Sequence, residues 1–167
     1  MASGRHTKLV GQAGEYLVAA ELSRRGLIAT TFTGNVPDYD IIASTEKGKH
    51  ISVQVKTTTG ISWQFGNITK YFELELQEQV QIVGETLPSP VDNLVYVFVM
   101  LQDYGNDRFF LCTWDDFCET LATHHREYLA KHGGVRPKQW KSLHAAIKTS
   151  HIEHFEDRWN LIEEMLE

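Results

Sequence analysis

Residues 36–56 read VPDYDIIASTEKGKHISVQVK, and the fold turns on how this stretch pairs with itself. Ile41-Ile42-Ala43 is a short apolar run, while Ile51, Val53 and Val55 alternate with Ser52, Gln54 and Lys56. Alternation with period two predicts a strand with one apolar face. Between the two runs, Glu46-Lys47-Gly48-Lys49 carries a glycine suited to a tight turn, so strands over 38–44 and 51–58 should form a hairpin.

The same period places Asp38 and Asp40 on one face of the first strand, and Gln54 and Lys56 on one face of the second. Pairing through the hairpin brings both polar pairs to one side of the sheet, near one end. A lysine inside an apolar strand is costly unless an anion or a bound ion compensates it. Such a cluster reads as a metal-and-phosphate site. Asp40 would ligate a hard divalent cation, with the Gln54 amide oxygen and the Val55 carbonyl as neutral ligands of the kind Mg²⁺ accepts. Lys56 would hold or activate the attacking water and neutralise charge developing on a phosphoryl group.

Working outward, residues 7–25 are rich in helix formers, and Gly26 stands where a helix stops. Leu9, Val10, Ala13, Leu17 and Ala20 form one apolar stripe of that helix. Val18 and Leu22 form another, which predicts a helix largely covered on two sides. A strand over 27–33 follows, turned by Gly34-Asn35-Val36-Pro37, with Asp38 capping that turn. Residues 60–92 are ambiguous: Phe72, Leu74 and Leu76 alternate with Glu73 and Glu75 as a strand would, yet 74–83 also satisfies a helix. Residues 93–101, NLVYVFVML, form a continuous apolar run, as in a strand buried on both faces. A strand over 108–113 comes next, then helices over 114–132, 137–149 and 156–165. The expected class is α/β: a central mixed sheet flanked by helices, an αβββ…ββ core over about 7–113 with C-terminal helices over about 114–167, all in one domain.

The stretch 36–43, followed by Val53-Gln54-Val55-Lys56, resembles the PD-(D/E)xK nuclease superfamily, whose restriction-endonuclease-like fold is shared by type II restriction enzymes, Mrr-type enzymes and archaeal Holliday-junction resolvases. The signature is an aspartate opening an apolar strand, then an acidic-x-Lys on the next strand. Asp40 matches the first position, since the apolar run starts immediately after it, and Lys56 matches the lysine. Many members also carry a glutamate on the first helix, ahead of a glycine. Glu15 fits that position, with Gly26 as the glycine, and it shares the Val18–Leu22 stripe that faces the sheet. One departure is plain: the acidic position is Gln54, as in Mrr-like branches with QxK. The resemblance implies Mg²⁺- or Mn²⁺-dependent hydrolysis of DNA (RNA as a second candidate) leaving a 5′-phosphate, by a homodimer. Glu15, Asp40, Gln54 and Val55 would then be the metal ligands, with Lys56 as the catalytic lysine. The loss of one carboxylate keeps an alternative in view: a degenerate binding module of defence or toxin-immunity type.

Composition sets the outer bounds. The 167 residues are 42% hydrophobic and 23% charged, which excludes disordered, collagen-like and coiled-coil chains. Two cysteines, Cys112 and Cys118, are too few for a disulfide scaffold and read as small buried residues. No apolar run reaches membrane-spanning length, and the polar start carries no signal-peptide pattern, so no membrane association and a cytoplasmic location are expected. The net charge of −6 argues against bulk coating of nucleic acid. That charge is unevenly spread. Residues 124–150 hold six basic residues (Arg126, Lys131, Arg136, Lys138, Lys141 and Lys148) against one acid, Glu127, a strip able to line a phosphate backbone. The histidines of this region are expected at the surface rather than on zinc.

Overall fold

The computed structural model describes residues 4–32, 36 and 38–167. Helix α1 (Gly4–Arg24) ends at Gly26, whose φ of 85° lets the chain reverse while the Gly26 and Leu27 amides donate to the Ser23 and Leu22 carbonyls. Three strands follow: β1 (Ile28–Thr31), β2 (Ile41–Ser44) and β3 (His50–Thr58). β1 pairs antiparallel with β2, and β2 with β3, through the 45–49 turn with Gly48 at φ 83°. The turn expected over 34–37 falls mostly on residues outside those described.

The central strand is β7 (Leu94–Met100), parallel to β3 and antiparallel to β8 (Arg108–Thr113), giving a mixed sheet in the order β1-β2-β3-β7-β8. All seven β7 residues are buried, as the uninterrupted apolar run requires. Its two faces build two cores. Val95, Val97 and Val99 pack with Val18 and Leu22 of α1, and with Leu161 and Ile162 of α4 (Asn160–Leu166). Tyr96, Phe98 and Met100 meet Phe117 and Leu121 of α2 (Trp114–Ala130) on the other side. α2 starts with a capping box: Thr113 accepts from the Asp116 amide while the Asp116 carboxylate accepts from the Thr113 amide.

Residues 60–92 resolve into strands. β4 (Ser62–Phe65) leads into a short 3₁₀ turn at Ile68–Lys70, capped by Asn67, and then into a hairpin of β5 (Phe72–Gln77) and β6 (Val80–Thr86) that packs against α2. The expected helix over 137–149 does not form. Residues 145–148 are instead β9 (Ala145–Lys148), paired antiparallel with β4 from more than eighty residues away, and only Thr149–Ile152 (α3) turn helical. Tertiary pairing overrides the helix propensity of Ala145-Ala146. The two-sided covering expected of α1 is also corrected. Only Gly14, Val18 and Leu22 are buried, and Leu9 is 56% exposed, because the sheet covers a single side of the helix. Cys112 and Cys118 are free and buried, as expected. Among the described residues no helix is long and apolar enough to cross a membrane.

Candidate functional site

The site lies where β3 outruns β2. The last β2–β3 pair is Ile41↔Val53, sealed by the Asp40 amide donating to the Val53 carbonyl at 2.8 Å. The Ser52 amide bonds the Asn93 carbonyl, and the Leu101 amide bonds the Thr58 carbonyl. The even-numbered residues of β3 therefore turn their backbone groups to β7, and the odd ones to β2. Val55 is odd, so its N–H and C=O project past the end of β2. The Asp40 side chain caps that loose end: its Oδ2 accepts from the Val55 amide at 2.7 Å and from the Gln54 side-chain amide.

Two consequences follow for donor atoms. A carboxylate only accepts, so the Gln54 Nε2 is fixed toward Asp40 and its Oε1 faces away. Both bonds fall on Asp40 Oδ2, leaving Oδ1 for another partner. The expected sharing of a strand face by Asp38 and Asp40 does not hold, because β2 starts at Ile41 and Asp38 adopts a left-handed φ of 72°. Asp38 is exposed and lines a cavity of about 570 Å³ together with Gln54, Lys56, Lys70 and Tyr96.

Glu15 arrives from the opposite layer. Gly14 lies against Thr57 of β3, which lets α1 approach closely enough for Glu15 to interact electrostatically with Asp40 and Lys56. Partial burial, reinforced by the Asp40 charge and opposed by Lys56, raises the Glu15 pKa above the ordinary glutamate value. Burial pushes the Lys56 ammonium below the usual lysine range. Asp40 and Glu15 resist that shift, and Lys70 adds to it. Glu15, Asp40 and Lys56 thus lie within electrostatic reach of one another at one end of the sheet, where Gln54 is bonded to Asp40.

Lys70 is the residue that sequence reading missed. It sits in the 3₁₀ turn within the ambiguous 60–92 segment, and only the Asn67 cap hints at a helical turn there. The cavity floor is aromatic: Tyr71, Tyr96 and Trp114, with the Trp114 indole donating to the Leu87 carbonyl at 2.7 Å. The histidines divide. His125, expected at the surface, is 3% exposed, and its Nε2 meets Gln81 Oε1 at 3.0 Å. Gln81 already donates its amide nitrogen to the Trp140 and Ser142 carbonyls, so its oxygen accepts and His125 is the donor.

Among the described residues no three His, Cys, Asp or Glu side chains gather as a metal cage. A cation at the candidate site would have Glu15 and Asp40 as its charged donors and the Val55 oxygen as a neutral one, joined by the Gln54 oxygen once its amide turns from its bond to Asp40. That set fits Mg²⁺, which is usually held by one or two carboxylates, waters and substrate phosphate rather than by an all-protein cage.

No family model matches the sequence, and no curated protein does. Among solved structures the chain is similar to a bacterial homing endonuclease, I-Ssp6803I, with a TM-score of 0.53 over 95% of this chain and 93% of that one, at 15% identity. The fold, a central mixed sheet between helices, is therefore nuclease-like.

Proposed function

We propose that this protein is a metal-dependent DNA endonuclease with a PD-(D/E)xK-like site of QxK type. The observation that carries the reading is the Asp40–Gln54–Val55 bonding where β3 outruns β2, with Glu15 and Lys56 within electrostatic reach of Asp40. Its support is the likeness in fold to a homing endonuclease.

Charge explains why such a site would need a cation. Glu15, Asp38 and Asp40 supply three carboxylates against the Lys56 and Lys70 ammonium groups, a net negative surrounding that repels a phosphodiester. Asp40, Glu15, the Val55 carbonyl and, once its amide turns to present Oε1 in place of Nε2, Gln54 would hold Mg²⁺ or Mn²⁺, which would supply charge neutralisation and a more acidic water. Lys56, with its proton loosened by burial, orients the attacking water and can exchange a proton with it. Lys70 faces the same cavity and meets a neighbouring phosphate oxygen. Hydrolysis of DNA, or of RNA, would leave a 5′-phosphate. A homodimer belongs to the proposal, since two such sites cut two strands, and Leu9 and Tyr16 leave apolar surface on the outer side of α1.

One observation favours a second reading, a degenerate binding module: Gln54 gives its amide hydrogen to Asp40, a bond that engages one carboxylate oxygen without any cation. Titration with Mn²⁺ and Mg²⁺, followed by thermal shift, separates the two. Stabilisation that Asp40→Asn abolishes supports the nuclease; no stabilisation of the wild type supports the binding module.

A further inference from the structure

Between the C-terminal half of α2, β9 and α3 lies a cleft of about 410 Å³. Lys131, Arg136 and Lys148 line it, and among the described residues none of the three is in an ion pair. Arg24, Arg25, Arg108, Arg126 and Arg158, by contrast, are each paired with a carboxylate. Arg136 is held by its own surroundings: it donates to the His144 carbonyl and lies over the Tyr128 ring, 5.5 Å from its centroid. It is a positioned cation without a counter-ion.

The single acid of the cleft is already engaged, because the His124 Nδ1 meets the Glu127 carboxylate at 3.0 Å. His124 stacks on His151 with centroids 3.7 Å apart and an angle of 13° between the rings. The His151 Nδ1 accepts from the Lys148 amide at 3.3 Å, so its Nε2 carries a hydrogen as a donor. Partial burial lowers the His151 pKa, and His124, Lys148 and Lys131 add to that shift against the opposing Glu127 carboxylate. Lys131, Arg136 and Lys148 outnumber Glu127 in the lining, a balance that favours an anion.

We propose that this cleft is a second phosphate-binding site, which holds a backbone phosphate of the duplex proposed as the nuclease substrate. The spacing suits one duplex. α2 runs from Trp114, on the floor of the candidate active site, to His124 and then to Lys131 at the cleft. At a rise of 1.5 Å per residue the two sites stand about 15–25 Å apart along the helix, less than one turn of B-DNA. The inference rests on a nucleic-acid substrate but not on the cleavage chemistry.

The test is fluorescence-anisotropy binding of duplex DNA in EDTA, between about 50 and 200 mM salt, for wild type, K131Q/K148Q, K131R/K148R and Asp40→Ala. Both lysines are exposed, and an unchanged melting temperature verifies the fold. The expected result is that K131Q/K148Q flattens the log–log salt slope by about 1–2 and loses roughly tenfold or more in affinity, while K131R/K148R binds as wild type. Equal slope and affinity in wild type and K131Q/K148Q would overturn the proposal, as would a wild type that binds no duplex. Stabilisation by inorganic phosphate that K131Q/K148Q loses, with duplex binding unaffected, would overturn it in favour of a small phosphate ligand. The two proposals fail separately. Salt-slope loss without any Mg²⁺-dependent cleavage removes the nuclease and keeps the cleft; Asp40-dependent cleavage with binding indifferent to Lys131 and Lys148 does the reverse.

Discussion

Gly14 of α1 lies so close to Thr57 of β3 that a Cβ built on the glycine would stand 1.9 Å from the Thr57 Oγ1 and 2.9 Å from both its Cβ and Cγ2. The threonine hydroxyl is itself buried without a hydrogen-bond partner. The contact is a backbone approach that only glycine permits, and it sits beside two proposed site residues, Glu15 and Lys56. Gly14→Ala should cost about 1–3 kcal/mol by overpacking and should lower any cleavage activity with it. In a double-mutant cycle by chemical denaturation, Thr57→Ala should recover part of that loss. Additive effects would mean that the helix simply shifts to make room.

Lys56 is expected to cost stability in the folded protein. Burial lowers its pKa below the ordinary lysine value of 10.5, against the opposing pull of Asp40 and Glu15. The unfolded chain therefore binds the proton more tightly, and stability should rise with pH between the folded-state pKa and 10.5. Lys56→Met is expected to melt higher than wild type at pH 7, with the gap closing toward pH 10. A variant that melts lower at pH 7 would contradict this.

His125 gives the opposite edge of the pH profile. Burial, with Arg136 nearby, lowers its pKa from 6.5 to about 4. Above pH 6.5 the ring is neutral in both states and its contribution is complete. As pH falls from 6.5 to 4 the unfolded chain takes up a proton that the folded one refuses, a loss of about 3 kcal/mol at 1.36 kcal/mol per pKa unit. Urea melts at pH 7, 5.5 and 4 should show this decline, and His125→Gln should flatten it.

Gln54→Glu probes the departure from the acidic-x-Lys pattern. Glutamate cannot donate to Asp40 and sets a like charge beside it, so the variant should melt lower than wild type in EDTA. With Mn²⁺ or Mg²⁺ the order should narrow or reverse, since a third carboxylate strengthens cation binding. Thermal melts with and without metal read both effects. An identical metal shift in the two proteins would show that residue 54 does not face the cation.

The parts of the fold that depend on local pattern were legible in the chain. The β2–β3 hairpin follows from alternation around Gly48, the central strand from an uninterrupted apolar run, and the end of α1 from Gly26. The β5–β6 hairpin was not, because its two-residue connection places Glu78 at φ 56°, where glycine or asparagine would have announced a turn. β9 was missed for a different reason: its partner β4 lies more than eighty residues earlier, and no local signal in Ala145–Lys148 encodes that pairing. Within the site, spacing placed Asp40, Gln54 and Lys56 together, and only the resemblance to the nuclease superfamily singled out Glu15. Lys70 depends on the path of the 3₁₀ turn and the hairpin after it, so tertiary packing alone brings it to the cavity.

Cleavage of supercoiled plasmid tests the central claim most directly. Purified wild type with Mg²⁺ or Mn²⁺ should convert it to nicked or linear DNA and should stop in EDTA. Asp40→Ala and Lys56→Ala should each lose about 10²–10⁴-fold in single-turnover rate. Wild type that leaves plasmid and branched DNA intact with either metal, or variants that cut as fast as wild type, would contradict the account.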